Sequence, residues 1–258
     1  MKITDAVWEK RNLGISCKEI ELEDSDTMPE ITKALNNCLD ADYIVAKAPI
    51  QAVEIYQLLQ QHGFIFVETM FQIAKELKST VLNERQSALA KDMSYTINKS
   101  GSMERVHQEI HLGMFSTDRI SLDAYFTETQ AQNRYIGMLH DEMERGAELM
   151  EFWYQGRPFG FACFRKKTEE RYHQCLTGLY AADRGTGKGF ALEYLPEKEL
   201  LCRKAKILSG AVSSNNPISL HAHLKTGFLP SETQYIFVNN SDYLQKARKY
   251  GHFTGYKN

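Results

Sequence analysis

The chain has 258 residues, enough for one large domain or two smaller ones. Hydrophobic residues make up 43% and charged residues 25%, the composition of an ordinary globular protein and not of a disordered one. A net charge of −2 offers no basic surplus for nucleic acid, and no run approaches the ~20 apolar residues of a membrane span. Cys17, Cys38, Cys163, Cys175 and Cys202 are widely spaced, odd in number and contain no C-x-x-C pair, which argues against a zinc site or a disulfide framework. The first ten residues lack the apolar core of a signal peptide, so a soluble, cytoplasmic protein with no metal, nucleic-acid or membrane partner is expected.

In chain order, Ile15 to Leu22 alternates as a strand, and Glu23-Asp24-Ser25-Asp26 is its turn. Pro29 suits the first turn of a helix over Glu30 to Leu39. Asp42 to Lys47 is a short strand, and Ile50, Val53, Ile55, Leu58 and Leu59 form a helical stripe closed by Gly63. Phe64 to Ile73 is a long strand. Lys75 to Asp92 is charged and polar and reads as a linker or a solvated helix. Met93 to Asn98 is predicted to be a strand, and Arg105 to Met114 and Ala124 to Arg145 helices. Glu148 to Tyr154 and Phe159 to Arg165 flank a Gln-Gly-Arg-Pro turn as a hairpin, with a third strand over Arg171 to Ala182. A helix begins near Ala191, and Pro196 inside it predicts a kink or two short helices. Ala205 to Val212 is a strand, Pro217 to Lys225 a helix capped by Gly227, and Phe228 to Val238 a last strand.

Two stretches of this series repeat. Gly63-Phe64-Ile-Phe-Val-Glu68-Thr69-Met-Phe71 lies on Gly227-Phe228-Leu-Pro-Ser-Glu232-Thr233-Gln-Tyr235 without a gap, at an offset of 164 residues (227 − 63). The preceding strand and helix align as well. Any strand, helix and Gly-Phe unit looks similar, but Glu-Thr-x-aromatic is not demanded by secondary structure, which favours a duplication.

The richest stretch is Leu176 to Phe190, an apolar strand running into Arg184-Gly185-Thr186-Gly187-Lys188-Gly189 and then a helix. Glycines at a strand-to-helix turn expose backbone N–H groups at the positive end of the helix dipole, which suits a phosphate or pyrophosphate. The P-loop pattern fails, because Ala182 takes its first glycine position and Gly189 its magnesium-binding hydroxyl. The dinucleotide fingerprint fails at Phe190, where its third glycine belongs. The spacing that fits is R-x-x-G-x-G, with a plain glycine-rich turn as the alternative. A second group follows one helix and one strand later, with Asn216, His223 and Gly227-Phe228 in register.

In these two motifs, over roughly Met93 to Val238, the chain resembles the GNAT superfamily of acyl-CoA-dependent N-acetyltransferases. The resemblance implies an α/β (α+β) fold, with a mixed central sheet flanked by helices. It makes residues 91–258 a catalytic GNAT domain, and residues 1–90, which carry the first copy of the repeat but no R-x-x-G-x-G, a truncated non-catalytic half. It implies acetyl-CoA as co-substrate, its diphosphate on Arg184, Gly185, Thr186, Gly187, Lys188 and Gly189, and its pantetheine arm on Asn216. A backbone amide of Leu179, Tyr180 or Ala181 is then the oxyanion donor. His223 stands where the family has a tyrosine that protonates the departing thiolate, and with an ordinary pKa near ~6.5 it can serve as that acid. The alternative is a solvent-facing helix residue. His173 is the candidate general base, with a structural strand histidine as the alternative. His221, two residues from His223, points elsewhere, so the pair is not a metal site.

Trp8 to Gly14, Asn133 to Gly146 and Glu148 to Gly160 resemble the nucleotide-sugar amine acetyltransferases, the dTDP-fucosamine acetyltransferase group. That resemblance implies a small amine acceptor carried on a nucleotide-linked amino sugar. Arg134, Tyr135 and Trp153 are its candidate contacts, and it leaves room for a homodimer. A protein or peptide N-acetyltransferase and a non-catalytic acyl-CoA-binding module are the other two readings of the same motifs.

Overall fold

The computed structural model describes residues 1–38 and 40–240. Its first elements are β1 (Lys2–Asp5), α1 (Val7–Leu13), β2 (Cys17–Glu21), α2 (Met28–Cys38), β3 (Tyr43–Pro49), α3 (Val53–Gln61) and β4 (Ile65–Glu76). Then come α4 (Glu84–Ala90), β5 (Met93–Ile97), α5 (Ser102–His111), α6 (Glu128–Glu144), β6 (Glu148–Tyr154), β7 (Arg157–Lys166) and β8 (Arg171–Leu179). Two 3-10 turns, Ala181–Asp183 and Lys188–Phe190, lead into α7 (Ala191–Cys202), followed by β9 (Ile207–Ser213), α8 (Pro217–Lys225) and β10 (Leu229–Asn240). Helices and a mixed sheet make this the expected α/β class. Leu39, the expected end of α2, lies outside the described residues.

The repeat appears in the elements themselves. β3 and β9, α3 and α8, and β4 and β10 begin and end at the same 164-residue offset. Gly63 and Gly227, which join helix to strand in each copy, both take the left-handed conformation, with φ of 80° and 92°.

The chain forms two compact units, and their division does not follow the expected break near Ala90. The first unit holds residues 1–70, 123–127 and, of the described residues, 233–240. The second holds 71–122 and 128–232. The reason lies in β4 and β10. β4 runs on past Met70, so that its last residues belong to the second unit, and β10 runs on past Glu232 into the first.

In the first unit the strand order is β1-β2-β3-β10-β4. β2 and β3 are parallel, while β1 pairs antiparallel with β2 and β10 antiparallel with β3. Its core gathers Ile20, Ile31, Leu35, Ile44, Ile55, Leu59, Phe64 and Phe237 between the sheet and α2 and α3. β1 and α1, for which the alternation gives no signal, complete this unit. Phe126 joins it by packing edge-on against Tyr43, ring centres 5.0 Å apart. The turn that delivers Phe126 is built by Asp123, whose carboxylate accepts from the Tyr125 amide. Residues 124–127 are thereby kept out of α6, which starts at Glu128 and not at Ala124.

In the second unit the order is β4-β9-β8-β7-β6-β5. β5 to β8 form an antiparallel meander, and β9 joins β8 in parallel through α7. One core, around Phe152, Phe159, Phe164, Tyr172, Leu195, Leu200 and Phe228, includes α7. The other, around Val106, Ile110, Leu139, Phe161 and Cys163, includes α5 and α6. α7 runs unbroken through Pro196 as one helix, and not as two short helices, one of the two expectations. Proline removes the N–H that would reach the Leu192 carbonyl and crowds that carbonyl with its ring, and tertiary contacts hold the helix together. Leu195, Pro196, Glu197 and Leu200 are buried. Glu197 accepts from Lys75 Nζ at 2.5 Å and from the Thr80 hydroxyl, while Lys75 also donates to the Thr226 carbonyl at 2.6 Å. Charge-paired and hydrogen-bonded on both partners, this buried pair fastens α7 to the end of β4 and to the C-terminus of α8.

Among the described residues no helix is long and apolar enough to cross a membrane, and no group of three or more His, Cys, Asp and Glu side chains is arranged to hold a metal ion.

Candidate functional site

The site lies in the second unit, where β8 and β9 part. Their parallel ladder has three pairs, Arg171 with Ile207, Tyr172 with Leu208 and His173 with Ser209. Beyond His173 the two strands no longer pair with each other, β8 running to Leu179 and β9 to Ser213. A wedge therefore opens with His173 and Ser209 at its apex and the glycine loop at its mouth. On the other edge of β8 the ladder to β7 slips by one residue, because Gln174 pairs with Phe164 and Leu176 with Cys163. Cys175 is the extra residue of this bulge.

Backbone polarity along the open edge follows from the ladder. The Tyr180 amide donates to the Phe159 carbonyl at 2.9 Å, toward β7. Amides of an antiparallel strand alternate, so the Leu179 amide points away from β7 and into the wedge. The Ala181 amide is taken by the Glu109 carboxylate at 2.7 Å. Of the three amides the sequence offers as oxyanion donors, Leu179 is the one the backbone turns toward the opening. Glycines keep the neighbouring space tight. A β-carbon on Gly178 would lie 2.6 Å from Met114 Sδ, and one on Gly160 2.8 Å from the Gly178 carbonyl oxygen.

The loop itself alternates in hand, with Gly185 at φ 74° and Gly187 at φ 86°, conformations that favour glycine. Lys188 and Gly189 open the helical segment, where the first N–H groups have no intrahelical acceptor. Such an alternating turn is a concave nest for an anion. Its floor is Asp183, fully buried, which accepts two bonds from Arg157 at 2.8 and 2.9 Å and one from Lys188 Nζ at 2.7 Å. Burial by itself would raise the Asp183 pKa, but Arg157 and Lys188 hold it below the usual carboxylate range. The Lys188 side chain thus faces inward, and only its amide is offered to a ligand. Arg184 is exposed and donates weakly to the Gly113 carbonyl, at 3.4 Å, while the Thr186 hydroxyl donates to the Asp183 carbonyl at 2.6 Å. Tyr180, beside the loop, is held by Glu151, a buried carboxylate that also accepts from Arg105 and Ser102.

At the apex, His173 Nδ1 is 3.3 Å from Ser209 Oγ, and that hydroxyl donates to the Tyr172 carbonyl at 3.1 Å. With its hydrogen given to Tyr172, Ser209 Oγ acts on the histidine as an acceptor. Nδ1 therefore carries the ring proton and Nε2 holds the lone pair. Burial, reinforced by Lys167 and opposed by Glu142, lowers the His173 pKa, so the ring is neutral at neutral pH. Cys175, two residues along, donates to Glu142 at 3.2 Å. Its contact with Cys163, then burial, pushes the thiol pKa upward, so it stays protonated.

Asn216 caps α8, its Oδ1 accepting from the Ser219 amide at 3.0 Å. His223 is buried, with 9% of its surface exposed, and its ring packs on Phe228 at 5.0 Å. Its Nδ1 lies 2.8 Å from Glu193 Oε1 of α7, but without the alignment of a hydrogen bond. The distance sets the ring against the α7 carboxylate and leaves Nε2 as the nitrogen not facing it. A groove of about 1220 Å³ runs alongside, from Gly189 and Phe190 past Glu193 to Lys225 and Thr226.

The acceptor-side candidates are spread more widely. Tyr135 stacks on Phe115 at 4.5 Å, and Arg134 lies 3.7 Å from the Asp118 carboxylate. Trp153 is elsewhere, bonded through Nε1 to the Thr96 hydroxyl and covered by Lys99. Glu109, Asp183 with Arg157, and Ser209 are site-shaping residues that the motifs do not announce. Asp183 adjoins the R-x-x-G-x-G run, but its partner Arg157 comes from a hairpin turn that carries no motif.

No known family's sequence pattern matches the chain, and no curated protein matches it in sequence. Solved structures do match in shape. A GCN5-related N-acetyltransferase from Sphaerobacter thermophilus superposes with a TM-score of 0.54 at 14% identity, over 77% of this chain and 59% of its own length. A tandem GNAT protein from the clavulanic acid biosynthesis pathway gives 0.54 at 11% identity, over 88% of this chain and 77% of the other. A GCN5-related glucosamine N-acetyltransferase region of a fungal multi-domain beta-N-acetylglucosaminidase gives 0.60 at 10% identity, over 87% of this chain and 30% of the other. The chain therefore spans less than two thirds of the first of these proteins. The fold is the mixed-sheet fold of the GNAT N-acetyltransferases.

Proposed function

We propose that the chain is an N-acetyltransferase that moves an acetyl group from acetyl-CoA to a primary amine by direct attack. The observation that carries the reading is the parting of β8 and β9 after His173 and Ser209, directly before a loop of alternating glycine conformations. The residues present fit the co-substrate. The loop amides and Arg184 suit a diphosphate, the open edge of β8 suits the amides of a pantetheine arm, Asn216 follows the end of β9 at the start of α8, and the groove along α7 and α8 suits the nucleotide end. A thioester supplies an activated acyl carbonyl with a thiolate leaving group.

In this mechanism the acceptor amine attacks the carbonyl carbon, the C–N bond forms and the C–S bond breaks. The Leu179 amide donates to the carbonyl oxygen as charge develops there. His173 Nε2, its lone pair fixed by the bond from Nδ1 to Ser209, takes the amine proton directly or through a water. His223 Nε2 returns a proton to the thiolate. The protonated state of Cys175 speaks against an acyl-cysteine intermediate, since a thiol is a poor nucleophile beside its thiolate. The first unit, whose copy of the repeat lacks the glycine loop, is read as non-catalytic.

For the acceptor we propose an amino sugar, and within that class one linked to a nucleotide. The stacked pair Phe115 and Tyr135 with the nearby Arg134 suits a sugar carrying an anionic group, and the neighbour described as a glucosamine N-acetyltransferase shares the fold. The test incubates the protein and acetyl-CoA with free amino sugars, nucleotide-linked amino sugars and peptides. A mass gain of one acetyl group on the nucleotide-linked amine, with His223→Phe slowed and His223→Tyr restored, is the expected result. Acetylation of peptides alone overturns the acceptor class. Binding of acetyl-CoA with no acceptor modified leaves a binding module in place of an enzyme, and failure to bind acetyl-CoA removes the whole reading.

A further inference from the structure

The charges around the glycine loop do not balance in the way a purely structural loop requires. Arg157 and Lys188 share the single negative charge of Asp183, which leaves the trio net positive, and Arg184 leans on the Gly113 carbonyl. One more cation stands at the loop, contributed from the segment between β4 and β5. A β-carbon built on Gly187 would lie 3.0 Å from Arg85 Nη2, 3.5 Å from Cζ and 3.7 Å from Nε. The guanidinium therefore rests against the glycine that bends the loop, whose φ of 86° itself favours glycine.

Its placement there is defined by local structure. Asn83 and Gln86 form a reciprocal capping box at the start of α4: Asn83 Oδ1 accepts from the Gln86 amide at 2.9 Å, and Gln86 Oε1 from the Asn83 amide at 3.0 Å. This fixes the first turn of α4, and α4 packs on the Lys188–Phe190 turn. Arg85 is exposed, so desolvation does not hold it there. A cation beside the N–H groups and positive end of a helix is electrostatically unfavourable unless an anion sits between them. A guanidinium and a nest of amides converging on one point suit a diphosphate, which a guanidinium engages through paired hydrogen bonds.

We propose that Arg85 is a diphosphate-binding residue, closing over the anion that the glycine loop cradles from the other side. The inference rests on the acyl-CoA reading and extends it to a residue outside both acetyltransferase motifs. It is tested on the full chain by calorimetric titration of acetyl-CoA, dephospho-CoA and acetyl-pantetheine, which lacks the diphosphate. Arg85→Ala should weaken acetyl-CoA and dephospho-CoA equally, by about ten- to a hundredfold, the range of a charged hydrogen bond. Acetyl-pantetheine should be unaffected, Arg85→Lys should recover part of the loss, and the urea midpoint should stay at the wild-type value. Equal weakening of acetyl-pantetheine, or unchanged acetyl-CoA affinity, overturns the role of Arg85. A loss for acetyl-CoA that dephospho-CoA does not share also overturns it, by moving the contact to the 3′-phosphate. Wild-type protein that binds none of the three ligands overturns the acyl-CoA reading itself.

Discussion

Replacing Asp183 with asparagine isolates a charge at the floor of the glycine loop while keeping its shape. Asp183 is fully buried and bonded to Arg157 and to Lys188 Nζ, and the Lys188 side chain is 9% exposed. Arg157, about half exposed, is rehydrated at little cost when its partner goes. Lys188 is not, and removing one partner of a buried pair costs about 3–5 kcal/mol because the other charge stays buried. The ammonium retains Thr186 Oγ1 at 3.4 Å and the Tyr154 ring at 4.8 Å, which places the expected cost at the lower end, about 3 kcal/mol. For a chain of this size that is a fall of about 6–12 °C in melting temperature. Urea and thermal unfolding of Asp183→Asn measure it, and Asp183→Asn combined with Lys188→Met should regain most of the loss. The pH dependence follows with its sign. A carboxylate whose folded pKa is depressed adds stability above its unfolded value of ~3.9, and that stability is lost as pH falls through the folded value. The acid limb of wild-type stability should therefore flatten in Asp183→Asn. A cost below about 1 kcal/mol, with no recovery in the double variant, would refute the argument that Lys188 depends on Asp183.

Three further outcomes follow from the site. Gly160→Ala should destabilise by about 1–3 kcal/mol, and by more than Gly178→Ala. The new methyl at 160 meets a backbone carbonyl, whereas at 178 it meets the end of a flexible methionine, and urea midpoints of the two variants compare them. Because burial lowers the His173 pKa, kcat/KM should fall on the acid side only below ~6.5, and His173→Gln should lower kcat by about 10²–10⁴-fold. Ser209→Ala should lower kcat more than it raises the KM for acetyl-CoA and should change the imidazole nitrogen shifts that report the tautomer. An unchanged tautomer would sink the positioning role of Ser209.

Much of the fold is legible in local signals. The repeat, the hairpin of β6 and β7, and the turn from β8 into α7 are written in alternation, glycines and spacing, which act over a few residues. What escapes is set by partners distant in sequence. Pro196 reads as a helix breaker, but the α7 it sits in is buried along one face and tied through Glu197 to Lys75 and Thr80. Ala124 to Thr127 read as helix until Phe126 is drawn to Tyr43. At the site, the glycine loop follows from the motif spacing. The identity of the amide that faces the opening does not, since it depends on the ladder to β7 and on Glu109. Arg85 is the clearest case. A charged and polar run predicts a linker or a solvated helix, and only the folded backbone brings that segment to Gly187.

The traded strands have a consequence for biogenesis. During synthesis the first unit cannot complete its sheet when residue 70 has left the ribosome, because β3 still waits for a strand made of residues 233–240. Until then β3 presents an unpaired edge, rich in apolar side chains, of the sort that invites aberrant association. The amino-terminal unit must therefore be the last part of the protein to become native, contrary to the usual order of translation. Removing the leading half at a natural-looking boundary such as Ala90 would also strip Ile73, Lys75 and Leu77 from the unit that remains. A chain whose repeats share strands in this way is not divisible at the end of its first repeat.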